Sequence, residues 1–139
     1  MPTGYSRFRD SSIDLAYIAS LCIILLRMEM NKDLVAASAT PLVLTILAEG
    51  DSYGYAIIKR VAELSGGYLQ WSDGMLYPVL HRLERQGHIA AKWTSSDNGR
   101  KRRYYHITRS GRAHLAAQRQ QWQRVDGTLR EIWMKVCTA

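Results

Sequence analysis

Asp73-Gly74-Met75-Leu76-Tyr77-Pro78-Val79-Leu80-His81-Arg82-Leu83-Glu84 is the stretch on which the whole architecture turns. Leu76, Val79, Leu80 and Leu83 recur at i, i+3, i+4 and i+7, which is one apolar stripe of a helix. Ser72 offers an N-cap before it and Gly87 a stop after it. The opposite side carries Tyr77, His81, Arg82 and Arg85. Pro78 breaks the pattern. Beyond the first turn a proline removes a helical hydrogen bond, at about 3 kcal/mol unless the backbone adjusts. It also pushes Tyr77 away from the α region. A local rule broken without a visible packing gain points to a functional position.

The hydrophobic period changes directly after this helix. In His88 to Trp93, Ile89, Ala91 and Trp93 alternate with His88, Ala90 and Lys92. Thr94-Ser95-Ser96-Asp97-Asn98-Gly99 is turn chemistry, and Arg102 to Ile107 is rich in aromatic and β-branched residues. The two runs predict a β-hairpin. Upstream, residues 33–49 predict a helix whose firm part begins with Thr40 as N-cap and Pro41 at the first helical position. Leu42, Val43, Ile46 and Leu47 are its apolar spacing and Gly50 its stop. Asp51-Ser52 then offers an N-cap for a second helix. Tyr53, Ala56, Ile57, Val61 and Leu64 form its stripe, Lys59 and Glu63 its other side, and Gly66-Gly67 its end.

Helix, helix, helix, hairpin is the order of a winged helix-turn-helix. The expected fold class is mainly α with a small β-hairpin (α+β), followed by a long C-terminal helix. The charge agrees. The formal net charge is +7, which favours a polyanionic partner. Arg100, Lys101, Arg102 and Arg103 are consecutive, and no acid lies between Asp97 and Asp126. A solvated face would mix signs. The third helix can enter the major groove, and the basic hairpin can reach phosphates or the minor groove. Ser72, Tyr77, His81 and Arg82 are the expected DNA contacts on that helix, with Arg82 able to grip a guanine in two places. Pro78 would give an irregular helix start that presents Tyr77 to DNA. Lys59 on the second helix and Arg100, Lys101, Arg102 and Arg103 on the wing are the expected phosphate contacts.

The residues also carry a family resemblance. Asp73 to Glu84 resembles the G-T-L-Y-P-x-L-x-R-L-E signature of the PadR family of transcriptional regulators. Tyr53-Gly54-Tyr55-Ala56-Ile57 upstream and Gly99 to Gly111 downstream resemble the family's flanking motifs. The match spans about residues 31–112. Met75 stands where the family usually has Thr, which removes one hydroxyl near the DNA face. The resemblance implies a homodimeric repressor on an inverted-repeat operator in double-stranded DNA. Some members release DNA on binding phenolic or planar aromatic compounds, which would place a small aromatic effector against Trp122, with Val125 beside it.

The C-terminal helix is expected to start at Thr108 or Ser110 and run to about Val136. Leu115, Trp122, Leu129 and Val136 are spaced by seven, with Val125 and Ile132 near the other seam position and Gln118 weakening it. About 28 residues at 1.5 Å each give roughly 40 Å. That is too long for a body of about 75 residues to cover, so a second copy is expected on Leu115, Trp122, Leu129, Ile132, Trp133 and Val136. The expected domains are residues 1–29 as an N-terminal extension or extra apolar helix, 30–108 as the DNA-binding domain and 109–139 as the dimerisation helix.

Other classes are weaker. Leu15 to Leu26 is almost entirely apolar, yet at about a dozen residues it falls short of the roughly 18–20 that span a bilayer. Met28 and Met30 are plausible initiators. Only Cys22 and Cys137 are present, with no CxxC pair, so a reducing cytoplasm is expected. His81, His88, His106 and His114 have no ligand spacing, and Glu63 and Glu84 read as helix-surface ion pairs. No enzyme activity, metal or cofactor is expected. The rival reading is a winged helix used for protein–protein or membrane-surface contact without sequence-specific DNA binding.

Overall fold

The computed structural model describes residues 15–19, 30–95 and 98–137. The chain divides into two compact units, residues 1–30 and 31–139. In the first, residues 15–19 are helical. The rest of the apolar run to Leu26, the candidate start at Met28 and Cys22 lie outside the described residues. The second unit holds α1 (Lys32–Glu49), β1 (Ser52–Tyr53), α2 (Gly54–Leu64), α3 (Asp73–Arg85), β2 (Ile89–Ser95), β3 (Lys101–Ile107) and α4 (Arg109–Cys137). Among the described residues, no helix is long and apolar enough to cross a membrane.

Helix α1 starts earlier than its proline suggests. Asn31, not Thr40, is the N-cap, its Oδ1 accepting from the Asp33 and Leu34 amides at 2.8 and 3.4 Å. Pro41 sits inside the helix. The cost of that proline is about 3 kcal/mol, but Ala39, Val43, Leu44, Ile46 and Leu47 are all buried around it. Each large side chain contributes about 1.5–3 kcal/mol by leaving water, so burial outweighs the local defect.

A second correction concerns Asp51-Ser52. Ser52 does not cap α2. Ser52 and Tyr53 form β1, a third strand that pairs antiparallel with β3 through Ser52–Tyr105 and Tyr53–Tyr104. Tyr53 itself is the N-cap of α2, without a side-chain capping bond. The sheet order is β1-β3-β2. Leu64, assigned to the buried stripe of α2, is exposed.

The stripe on α3 holds as read: Leu76, Val79, Leu80 and Leu83 are buried. They close a core with Val43, Leu44 and Leu47 of α1, Ile57 and Val61 of α2, Ile89 of β2, and Tyr105 and Ile107 of β3. Gly87 ends α3 in the left-handed region at φ 77°, which a side chain would resist, and the His88 amide closes back on the Leu83 carbonyl at 2.9 Å. Thr108 caps α4. Its Oγ1 accepts from the Gly111 amide at 3.1 Å and donates to the Gly87 carbonyl at 2.6 Å, tying α4 to the end of α3.

His88 lies at that junction, stacked on His114 of α4 with ring centroids 4.3 Å apart and planes within 4°. Its Nδ1 is 3.0 Å from Ser110 Oγ. Burial, and then the neighbouring His114, hold His88 below its usual value of about 6.5. The unfolded chain therefore takes up the proton more readily. The stability this site contributes is complete above pH 6.5 and is lost as pH falls through the lowered value. Thermal melts between pH 8 and pH 5 should show a falling midpoint below about pH 6.5, and His88→Gln should flatten part of that fall. A wild-type profile unchanged by the substitution would assign the pH response elsewhere.

Candidate nucleic-acid interface

Helix α3 buries one stripe, and so it must expose the other. Tyr77, His81, Arg82 and Arg85 all face solvent, as do Ser72 at the N-cap and Lys59 on α2. Ser72 makes no capping bond with its side chain, and Pro78 is accommodated inside the helix. Tyr77 is not loose. A Cβ on Gly54 would come within 2.9 Å of the Tyr77 phenolic oxygen, so the absence of a side chain at the start of α2 is what lets the ring lie there. Arg82 donates to Thr40 Oγ1 of α1 at 2.9 Å, which holds its guanidinium toward α1.

The wing is a seven-residue ladder. Ile89 pairs with Ile107 and Ser95 with Lys101, with Trp93 opposite Arg103. The four consecutive cations separate into two kinds. Arg100 and Lys101 are exposed. Arg102 and Arg103 are half-buried and already engaged. The Arg102 guanidinium lies 4.5 Å from the centre of the Tyr53 ring, a cation–π arrangement. Arg103 reaches across to α3 and donates twice from Nη2 to the Glu84 carboxylate, at 2.7 and 2.9 Å. It also lies 5.6 Å from the centre of the Tyr105 ring, whose phenol burial pushes upward.

Glu84 is thus more than a surface ion pair along one helix: it joins α3 to β3. Glu63 does pair along its own helix, with Arg60 at 3.6 Å. Nothing in the run Arg100-Lys101-Arg102-Arg103 marks the residue that turns inward. Alternation along β3 places Arg103 on the face of Tyr105 and Ile107.

Between α3 and the wing lies an open groove of about 480 Å³. Its walls include Tyr77 and His81 of α3, Tyr55 at the start of α2, and Trp93, Lys101 and Arg102 of the hairpin. An exposed helix face, the exposed Lys101, the half-buried Arg102 and several aromatic faces share one concavity, which suits a polyanion carrying stacked rings.

The residues assigned to a second copy fall differently. Leu115 packs partly buried against the chain's own core. Trp122 is half-buried. Val125, Leu129, Ile132, Trp133 and Val136 are exposed along α4.

Residues 43–117 match the model of the Transcriptional regulator PadR-like family. Uncharacterized protein X of Lysinibacillus sphaericus is 30% identical over 96 residues, covering 69% of this chain and 88% of that protein. Transcriptional regulator Rv3488 of Mycobacterium tuberculosis is 46% identical over 57 residues, 41% of this chain and 52% of its own length. Among solved structures, a PadR-like transcriptional regulator of Bacillus cereus superposes with a TM-score of 0.64 at 27% identity, over 73% of this chain and 96% of that one.

Proposed function

The chain belongs to the PadR-like family of transcriptional regulators, and from that premise we propose that it works as a homodimeric repressor: two copies joined along α4 set their α3 helices into successive major grooves of an inverted repeat. The observation that carries this reading is the groove that gathers Tyr77 and His81 of α3 with Lys101 and Arg102 of the wing. Lys59, Ser72, Arg82 and Arg100 are exposed on α2, at the start of α3, on α3 and before β3. Tyr77, His81 and Arg82 read base edges or phosphates, and the wing cations and Lys59 hold the backbone. Arg103 acts through Glu84, bracing the wing against α3.

The apolar residues left uncovered on α4 support the second copy, since a 29-residue helix of about 44 Å outruns its own domain. A small planar aromatic effector is proposed against Trp122 and Val125, where a half-buried indole offers a face for stacking.

Fluorescence anisotropy against duplex from the gene's own upstream region tests the reading. Four cations per protomer touching phosphate give about eight contacts per dimer, so log affinity should fall with log salt at a slope near −7. Preference over scrambled duplex should reach about 10³-fold. Equal affinity for scrambled duplex would overturn sequence-specific regulation and favour the contact-module reading. Phenolic acids added to the preformed complex should lower the anisotropy.

A further inference from the structure

Trp93 is an indole that the chain's own packing leaves uncovered. It lies on β2 directly opposite Arg103 of β3, and residues paired across an antiparallel ladder project to the same face. Arg103 reaches Glu84 on α3, so the Trp93 face of the hairpin is the face turned toward α3. Along that face Ile89 is 2% exposed and Trp93 64%. The hairpin has by then run past the core, and among the described residues the ring is left largely uncovered. Yet the residue at this point is a tryptophan, with Lys101 and Arg102 lining the same groove. A solubilising residue would serve a wing that only holds phosphate. A large flat apolar side chain among cations fits a ligand that presents both phosphate and apolar ring and sugar surface.

We propose that Trp93 is a DNA-contacting residue, its indole packing on sugar and base edges of the duplex held between α3 and the wing while Lys101 and Arg102 hold the phosphates. The inference rests on the DNA-binding reading above. Trp93 forms no donor–acceptor code with a base. It responds to groove width and to the ease of opening a base step, so it confers preference at positions that no α3 side chain touches.

The test is anisotropy on the same promoter duplex for wild type, Trp93→Ala, Trp93→Phe and Lys101→Ala over a salt series. Trp93→Ala should bind about tenfold more weakly or worse. Its salt slope should equal that of wild type, because no cation has been removed. Trp93→Phe should recover most of the affinity, and Lys101→Ala should flatten the slope. A second readout is independent of the alanine variant's folding. Subtracting Trp93→Phe emission from wild type isolates the Trp93 signal, which should change on saturating DNA. Unchanged Trp93 emission overturns the proposal. So does wild-type affinity in Trp93→Ala, or a loss that flattens the slope as Lys101→Ala does. Absence of salt-dependent DNA binding by the wild type would instead remove the reading beneath it.

Discussion

Gly111→Ala should lower the thermal midpoint by more than about 10 °C, the equivalent of roughly 3 kcal/mol in a domain of this size. Gly111 is buried in the first turn of α4. An added Cβ would collide with the His88 carbonyl oxygen and lie 2.8 Å from Ile107 Cγ1. That oxygen cannot simply move aside, because it accepts the Thr108 amide at 3.0 Å. The segment after α3, the end of β3 and the start of α4 converge there, and only a backbone without a side chain fits. Gly127→Ala, in the same helix, is the matched control. Nothing lies within 4 Å of the place its added methyl would take, so it should stabilise by about 0.5–1 kcal/mol through helix propensity alone. If both variants melt like wild type, close approach at Gly111 is not what joins α4 to the domain.

The second large effect concerns α4. Leu129→Glu combined with Ile132→Glu should leave the single-chain fold intact, because both side chains are exposed in it, at 39% and 51%. Under the homodimer proposal the pair places four carboxylates along one seam. Sedimentation should then report a monomer. Operator affinity should drop by about 10²-fold or more, since two linked half-site readers gain that much from effective concentration. A variant that still sediments as a dimer, or a monomer that binds as tightly as wild type, would sink the proposal.

The elements that announce themselves in the sequence are those with long periodic patterns. The α3 stripe repeats over two turns, and the hairpin is marked by alternation from His88 to Trp93 and by aromatic and β-branched residues from Arg102 to Ile107, within strands of seven residues each. Strand β1 is two residues long, too short for any period, and its Asp51-Ser52 neighbourhood imitates a helix cap. Pro41 misleads for the opposite reason: its local rule is correct, but the buried residues around it override it. The wing is legible as a basic stretch. The split of its cations is not, because Arg103 takes its role from Glu84, nineteen residues earlier. Trp93 looks like one more alternating apolar residue until the end of the core is located in space. The exposed stripe of α3 and the basic stretch beside it were therefore readable. Which of their members are already engaged required the fold.

The pair of hydrogen bonds from Arg103 to Glu84 has a thermodynamic consequence for the proposed recognition. Helix and wing enter the complex already fixed to each other, so binding does not have to freeze their relative motion. Each rotamer-rich side chain immobilised on association costs about 0.5–1.5 kcal/mol, and here part of that ordering is completed when the chain folds. The same rigidity sets a limit. Under the proposed homodimeric reading, a protomer fastened in this way cannot lengthen its reach within a half-site, so adaptability toward variant operators would come from the DNA itself or from the way two protomers are joined.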